Sequence, residues 1–399
     1  MLSAILITCA AVGLGALAAQ RLALSHHLGS PPVAPLRRPG ISILKPLCGL
    51  EDRLEENLEH FASLRYPEYE LLLGVDGTSD PAWALAERVA ARHPGRVRAV
   101  LQHGAPGLNP KVNQLVTLEA HARHELLLIS DSNTIAPEGY LDELAALFED
   151  GQVACVTNPV SGTGHRTLGA LLDNLHLAAS VGLGQVAAKV LAKRNLVVGK
   201  SMALRRPVLQ ALGGFHAFRD FLAEDYAIGR AISPSLGRVA VARLPVLNVA
   251  VERSVGSFWG RYARWSVIHR TAVTPLTYLA QALLNPWPLS LLAAAVSPSM
   301  RRALASVGVL VAKALLDVSA ARALGIGRSG LVALLVVPLK DVILFAAWTR
   351  GLAVRTVVWR GKRLRVEAGS RLVRGSVQRH SVTAGRPFPS PVVTRSPEA

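Results

Sequence analysis

Glu224 and Asp225 stand side by side in Leu222-Ala223-Glu224-Asp225-Tyr226. About 36 residues on come Arg261 and Arg264, three apart, with Trp265 next to the second. An acid pair can supply one general base, its pKa tuned by burial and by the neighbouring charge. Arginines at that spacing can clamp a diphosphate, with the indole flooring the site. The same basic and aromatic pattern also suits a helix on a membrane surface. Upstream, Asn109-Pro110-Lys111-Val112-Asn113 sets a lysine in the first turn of a helix opened by proline, where ammonium and helix terminus together can meet a phosphate. A solvated lysine is the plainer alternative. Gly74-Val75-Asp76-Gly77 and Ile129-Ser130-Asp131-Ser132-Asn133 each bring an aspartate to the end of an apolar run. Such a carboxylate can accept hydrogen bonds from a base or ribose, or face a divalent metal on a diphosphate. Both segments, taken singly, also fit an ordinary loop.

These residues need elements to hold them. From Ile41 to about Leu247, short apolar runs alternate with amphipathic segments. Ile41–Pro46, Tyr69–Val75, Val97–Gln102 and Glu125–Ser130 read as strands; Leu50–Leu64, Pro81–Arg92 and Pro110–Ala120 read as helices. That alternation predicts an α/β fold with a mostly parallel, doubly wound sheet. Ligands in such sheets bind beyond the carboxyl ends of the strands. Asp76 and Asp131 then share the rim of one site. Gly199-Lys200-Ser201 looks like the end of a phosphate-binding loop, but Arg194 stands where that motif needs its first glycine. His121 and His124 read as surface residues.

The 399 residues are half hydrophobic yet only 5% aromatic, and the mean hydropathy is +0.32. Residues 1–21 read as an anchor: the first nineteen, Met1 to Ala19, carry no charge and lead into Gln20-Arg21, long enough at ~1.5 Å per residue to cross a hydrocarbon core. A Pro-rich linker follows over 22–40, then the α/β region over 41–270. Further apolar blocks lie in 271–349, and residues 350–399 make a basic tail that ends in a Ser/Pro/Thr-rich, disordered stretch. The net charge of +17 sits mostly on arginine and largely beside apolar blocks, which favours anionic lipid surfaces. No zinc-finger, homeodomain or RNA-recognition signature accompanies it, so nucleic acid is not the expected partner. Three scattered cysteines (Cys9, Cys48, Cys155) make no disulfide framework and fit a reducing compartment. If the α/β region and the tail share the cytosolic side, an even number of crossings lies between them. The Pro-broken Pro275–Val296 block is then interfacial or re-entrant, and the next two blocks form a hairpin in which Lys313 and Asp317 can pair.

In this order and spacing the motifs resemble the ceramide glucosyltransferase family of GT-A glycosyltransferases. They are Ile43-Leu44-Lys45-Pro46-Leu47, Tyr66-Pro67-x-Tyr69-Glu70, Val75-Asp76 with Asp80-Pro81, Asn109-Pro110-Lys111-x-Asn113, Asp131-Ser132, Ala223-Glu224-Asp225-Tyr226 and Arg261-x-x-Arg264-Trp265. A bacterial relative in hopanoid lipid synthesis shares the layout. The resemblance implies a GT-A fold with a Rossmann-like nucleotide-binding core, an N-terminal transmembrane helix and C-terminal membrane helices. It also implies an inverting hexosyltransferase moving a sugar from a UDP-sugar to a lipid hydroxyl at the cytosolic membrane face. Glucose and ceramide are the expected pair; N-acetylglucosamine transfer to a phospholipid in hopanoid lipid synthesis, or a non-catalytic scaffold that binds nucleotide or lipid, are the alternatives. By the same resemblance Asp76 holds the nucleoside, Lys111 and Asp131 the nucleotide-sugar, and Asp225 deprotonates the acceptor. Arg261, Arg264 and Trp265 lie by the leaving diphosphate. Common GT-A enzymes carry Asp-x-Asp where this chain has Asp131-Ser132-Asn133. That leaves Asp131 as the single charged candidate ligand for a divalent cation and Mg²⁺ or Mn²⁺ dependence an open question. The heavy use of arginine over lysine points to a bacterial inner membrane as the host.

Overall fold

The computed structural model describes residues 1–327, 330–359 and 362–374. Helix α1 (Leu2–Leu28) leads into β1 (Ile41–Pro46), α2 (Leu54–Ala62), β2 (Tyr69–Val75), α3 (Pro81–Arg92), β3 (Val97–Leu101), α4 (Pro110–His121) and β4 (Leu126–Ile129). Next come β5 (Thr134–Ile135), α5 (Tyr140–Phe148), β6 (Val153–Thr157), β7 (Val160–Thr163), α6 (Leu168–His176), α7 (Leu183–Val190) and β8 (Met202–Arg205). They are followed by α8 (Arg206–Ala211), α9 (Glu224–Ala231), β9 (Arg238–Val241), β10 (Val246–Val249) and α10 (Val255–Ala272). Apolar helices α11 (Pro275–Ala280), α12 (Pro286–Val296), α13 (Met300–Ala323) and α14 (Gly330–Ala353) precede β11 (Thr356–Trp359), β12 (Lys362–Val366) and β13 (Leu372–Arg374).

Seven strands form the central sheet in the order β3-β2-β1-β4-β8-β6-β9. All run the same way except β8, which is antiparallel to both β4 and β6. The inner strands are buried on both sides and mostly apolar because helices cover both faces. Period-two alternation divides them: Ile43, Leu71, Leu73 and Leu128 pack with α2, α3 and α5 on one face, while Leu44, Leu72, Leu127 and Ile129 pack with α4, α8 and α9 on the other. The chain winds outward from β1 through β2 to β3, then returns past β1 to add β4 on its far side. The switch point therefore lies between β1 and β4, where an open α/β sheet leaves a crevice for ligand. Helix α2 begins at Leu54 rather than Leu50, because Arg53 takes a left-handed φ of 52° and the Asp52 carboxylate turns away to accept from the backbone N–H of Val251 at 2.8 Å.

Among the described residues, three helices are long and apolar enough to cross a membrane: Leu2–Leu28, Met300–Ala323 and Val332–Ala353. The segments Pro275–Leu284 and Pro286–Val296 meet at a bend of 81°, the geometry of a broken span or a re-entrant loop. Helix α1 crosses this bend closely: a Cβ on Gly13 would fall 1.9 Å from the carbonyl oxygen of Leu283, so only glycine admits the contact. The α/β body joins the apolar helices through a buried cluster that includes Leu24, Leu175, Leu183, Val318 and Leu324. Part of the basic tail folds. Strands β11, β12 and β13 make an antiparallel sheet whose Val357, Leu364, Val366 and Leu372 pack against Leu222 and Val267. Residues 375–399 of the expected disordered stretch lie outside the described residues.

Candidate active site

At the switch point, Lys45 is buried in β1 and reaches under the loop after β4. Its Nζ donates to Ser130 Oγ (3.1 Å), the Asp131 carbonyl (2.6 Å) and Thr134 Oγ1 (3.1 Å), and lies 3.8 Å above the centre of the Phe61 ring. Burial pulls this ammonium down to about 7. Lys45 thus pins the loop that aims the Asp131 side chain into the crevice.

That side chain sits between two ammonium groups. Asp131 Oδ1 is 2.8 Å from Lys111 Nζ and Oδ2 is 3.3 Å from Lys200 Nζ. Lys111 also meets Glu224 Oε1 at 2.8 Å, and Lys200 donates to Asn133 Oδ1 at 3.1 Å. Against the cost of burial, the two lysines hold the Asp131 carboxyl well below the usual carboxylate range. Asp131 and the Glu224–Asp225 pair in turn raise Lys111 against its own burial, whereas burial dominates at Lys200 and lowers it.

The local sequence explains the placement. Asn109 caps α4, its Oδ1 accepting from the N–H groups of Lys111 and Val112, and its Nδ2 donates to Phe221 O and Glu224 Oε2. One side chain thereby ties the start of α4 to the start of α9. The segment entering α9 is held from the other side by the C-terminal sheet: Leu222 N donates to Ser370 O at 2.8 Å, and Leu372 N to Asp220 O at 2.6 Å. Asp225 is fixed by backbone, Oδ2 accepting from Gly199 N at 2.6 Å and Oδ1 from Tyr226 N at 2.7 Å. Burial and then the Glu224 charge push its carboxyl up to about 6, against the pull of Lys111 and the two N–H groups.

Helix α10 brings the third group of charges. Arg261 Nη1 lies 3.2 and 2.9 Å from the two oxygens of Asp173 on α6, and Tyr262 donates its hydroxyl to the same carboxylate at 2.7 Å. Arg253 approaches it at 3.7 Å. Asp173 is wholly buried, so one carboxylate serves two arginines. Arg264 is half-buried and has no ion pair among the described residues; burial and the charges of Arg261 and Arg253 lower it. Trp265 packs edge-on against Tyr262, with ring centroids 5.4 Å apart. Arg261 is near enough to Lys200 to depress it, which joins this cluster to the one around Asp131. Positive charge therefore exceeds negative along the Arg253–Arg261–Arg264 side of the crevice.

The structure thus gathers Lys111, Asp131 and Asp225 with Arg261 nearby. Asp76 stands apart: it is exposed at the end of β2, and β1 lies between it and the Asp131 loop, so the two aspartates are separated by at least two strand spacings, about 10 Å. Asp80 is used structurally, capping α3 and accepting from Gly49 N at 2.9 Å.

A model of glycosyl transferase family 21 matches residues 5–372. The chain belongs to glycosyl transferase family 21. Ceramide glucosyltransferase 3 of Caenorhabditis elegans is 30% identical over 261 residues, covering 64% of this chain and 56% of its own. Ceramide glucosyltransferase 1 of the same organism is 29% identical over 255 residues, covering 61% and 53%. The family-21 chain thus spans a little over half the length of these relatives. Among solved structures, the mannosyltransferase PcManGT from Pyrobaculum calidifontis, in complex with GDP-Man and Mn²⁺, aligns with a TM-score of 0.57 at 21% identity, covering 88% of this chain and 99% of that one. That likeness shows the GT-A fold.

Lys200 and Asp173 are the site residues of this family-21 chain that the motifs did not single out. Lys200 lies in the Gly-Lys-Ser triplet that fails as a phosphate loop; the signal was a lysine between small residues just ahead of a strand. Asp173 sits in Leu172-Asp173-Asn174, where an acid amid apolar helical positions marks a buried partner in need of a cation.

Proposed function

We propose that this chain is an inverting hexosyltransferase that moves a sugar, glucose first, from a UDP-sugar to a lipid hydroxyl, ceramide first, at the cytosolic face of a membrane. The observation that carries the reading is Asp225. It is a single carboxylate fixed by two backbone N–H groups, raised to about 6, beside the lysine-bound Asp131 at the switch point of the sheet. A general base works best with a pKa near the operating pH. Asp225 takes the proton of the acceptor hydroxyl, whose oxygen attacks the anomeric carbon as the bond to the β-phosphate oxygen breaks on the opposite face. Uridine diphosphate leaves with that electron pair. Lys111, Arg261 and Arg264 meet the charge that builds on the diphosphate, and Asp76, at the rim, takes the uridine. Trp265 lines the acceptor side. The names of the nematode relatives support the sugar and the lipid, and the three apolar helices support a membrane-bound acceptor.

A divalent cation at Asp131 fits poorly with these residues. Both carboxylate oxygens and the Asn133 carbonyl oxygen are taken by ammonium groups.

The test is a turnover screen on membranes carrying the full chain, with UDP-glucose and UDP-N-acetylglucosamine as donors and ceramide, diacylglycerol and phosphatidylethanolamine as acceptors. A radiolabelled glycolipid formed with UDP-glucose and ceramide is the expected product. Transfer of N-acetylglucosamine to phosphatidylethanolamine would replace the substrates and keep the reaction class; uridine diphosphate binding without any turnover would favour a non-catalytic scaffold.

Gly199 gives a sharper prediction about the same site. A Cβ there would fall 2.7 Å from Lys111 Nζ and 3.2 Å from Asp225 Oδ2. Lys111 is a flexible side chain, but two carboxylates hold its end, so it must leave one of them to make room. Gly199→Ala is expected to reduce kcat by about ten- to a hundredfold through misplacement of order 1 Å, with little change in the unfolding midpoint. Unchanged turnover would show that the Lys111 ion pairs have no part in the reaction.

A further inference from the structure

Lys200 has no place in the reaction as drawn, yet it is buried at the centre of the site. Its ammonium has three donors. One goes to Asp131 Oδ2 and one to Asn133 Oδ1, which leaves a third with no partner among the described residues. These two acceptors are the first and third residues of Asp131-Ser132-Asn133, the positions from which an Asp-x-Asp segment would offer two carboxylates to a cation. Here the third residue is an amide, so the segment carries one negative charge instead of two. A fixed single positive charge fits that deficit better than a divalent ion does. A cation entering the same oxygens would face Lys111 and Lys200 at once, with Arg261 close behind, and like charges in a crevice shielded from water repel strongly. Its two chain neighbours hold Lys200 in place: the backbone N–H of Gly199 donates to Asp225, and the Ser201 hydroxyl donates to Asn158 Oδ1 at 2.7 Å and accepts from Tyr140 Oη at 2.6 Å.

We propose that Lys200 stands in for the divalent cation, its free donor meeting the diphosphate of the donor nucleotide while Asp131 and Asn133 hold it, so that nucleotide binding requires no metal. The inference rests on the nucleotide-donor reading above.

The test is calorimetric titration of the detergent-solubilised full chain with uridine diphosphate, in EDTA and in Mn²⁺, for wild type, Lys200→Ala and Lys200→Arg. The wild-type Kd is expected to agree within about threefold between the two buffers. Lys200→Ala is expected to bind about tenfold or more weakly in EDTA, the loss of one charged hydrogen bond, and to recover part of that in Mn²⁺ as the vacated oxygens admit the ion. Lys200→Arg, which keeps the charge, should stay insensitive to EDTA and guards against a folding defect in the alanine variant. Mn²⁺ electron paramagnetic resonance in the presence of the nucleotide should report bound ion in Lys200→Ala and free ion in wild type. A wild-type affinity that falls about tenfold in EDTA, or a Lys200→Ala variant that binds like wild type, overturns the inference and leaves the donor reading standing. A wild type that binds no uridine diphosphate in either buffer overturns the donor reading itself.

Discussion

Asp225→Asn is expected to lower kcat by about 10²–10⁴-fold, the range for removal of a positioned general base, while the Kd for uridine diphosphate moves by no more than about threefold. Asparagine keeps the size and the acceptor oxygen that binds Gly199 N or Tyr226 N, but cannot take the acceptor's proton. Loss confined to kcat would place the residue in the transition state; loss carried by KM would make it a binding group. The pH dependence follows with a definite sign. The carboxyl is raised to about 6 by burial and by Glu224, and the base acts in its ionised form. The wild-type kcat/KM is therefore level above that value and falls as pH drops through it, tending to tenfold per unit on the acid side. Glu224→Gln removes the like charge and should move the acid limb to lower pH. An acid limb unmoved in Glu224→Gln, or a residual Asp225→Asn rate with the wild-type limb, would assign the ionisation to another group.

The sheet was readable because its physics is local. Four apolar runs separated by amphipathic ones imply parallel strands with helices over both faces, and Asp76 and Asp131 could be placed at strand ends from the chain alone. The proline after Asn109 marked the start of α4, and the lysine that follows turned out to face Asp131 and Glu224. What stayed hidden was pairing between distant segments. Lys200 meets Asp131 from 69 residues away, and Asp173 meets Arg261 from 88; no local periodicity encodes either. The reversed strand β8 escaped for the same reason, since its four residues look like any buried strand. The sheet in the tail was not legible from its composition. Among its many arginines, apolar positions at Val357, Leu364, Val366 and Leu372 build a sheet that steadies the approach to Glu224. Lys313 and Asp317 were legible as a pair four apart on one helix. That Lys340 and Asp341 complete the group depended on how α13 and α14 face each other.

That group supports the second large effect. Lys313 and Asp317 on α13 and Lys340 and Asp341 on α14 form a closed square. Lys313 lies 2.5 Å from Asp317 and 3.3 Å from Asp341, and Lys340 lies 3.0 Å from Asp317 and 2.5 Å from Asp341. None of the four is more than 2% exposed. With two charges of each sign the square is neutral, which is the condition for keeping ions inside an apolar hairpin. Asp317→Asn leaves two ammonium groups on one carboxylate and is expected to cost about 3–5 kcal/mol, read as a lower unfolding midpoint and earlier proteolysis of the detergent-solubilised chain. Lys313→Met combined with Asp317→Leu removes one whole pair, leaves Lys340–Asp341 neutral, and should recover most of that loss. The contrast between the single and double variants is the diagnostic. An Asp317→Asn protein as stable as wild type would mean that water or lipid headgroups already reach the square. A double variant as unstable as the single would mean that the four charges fix the register of the two helices, and that apolar side chains of similar volume cannot replace that function.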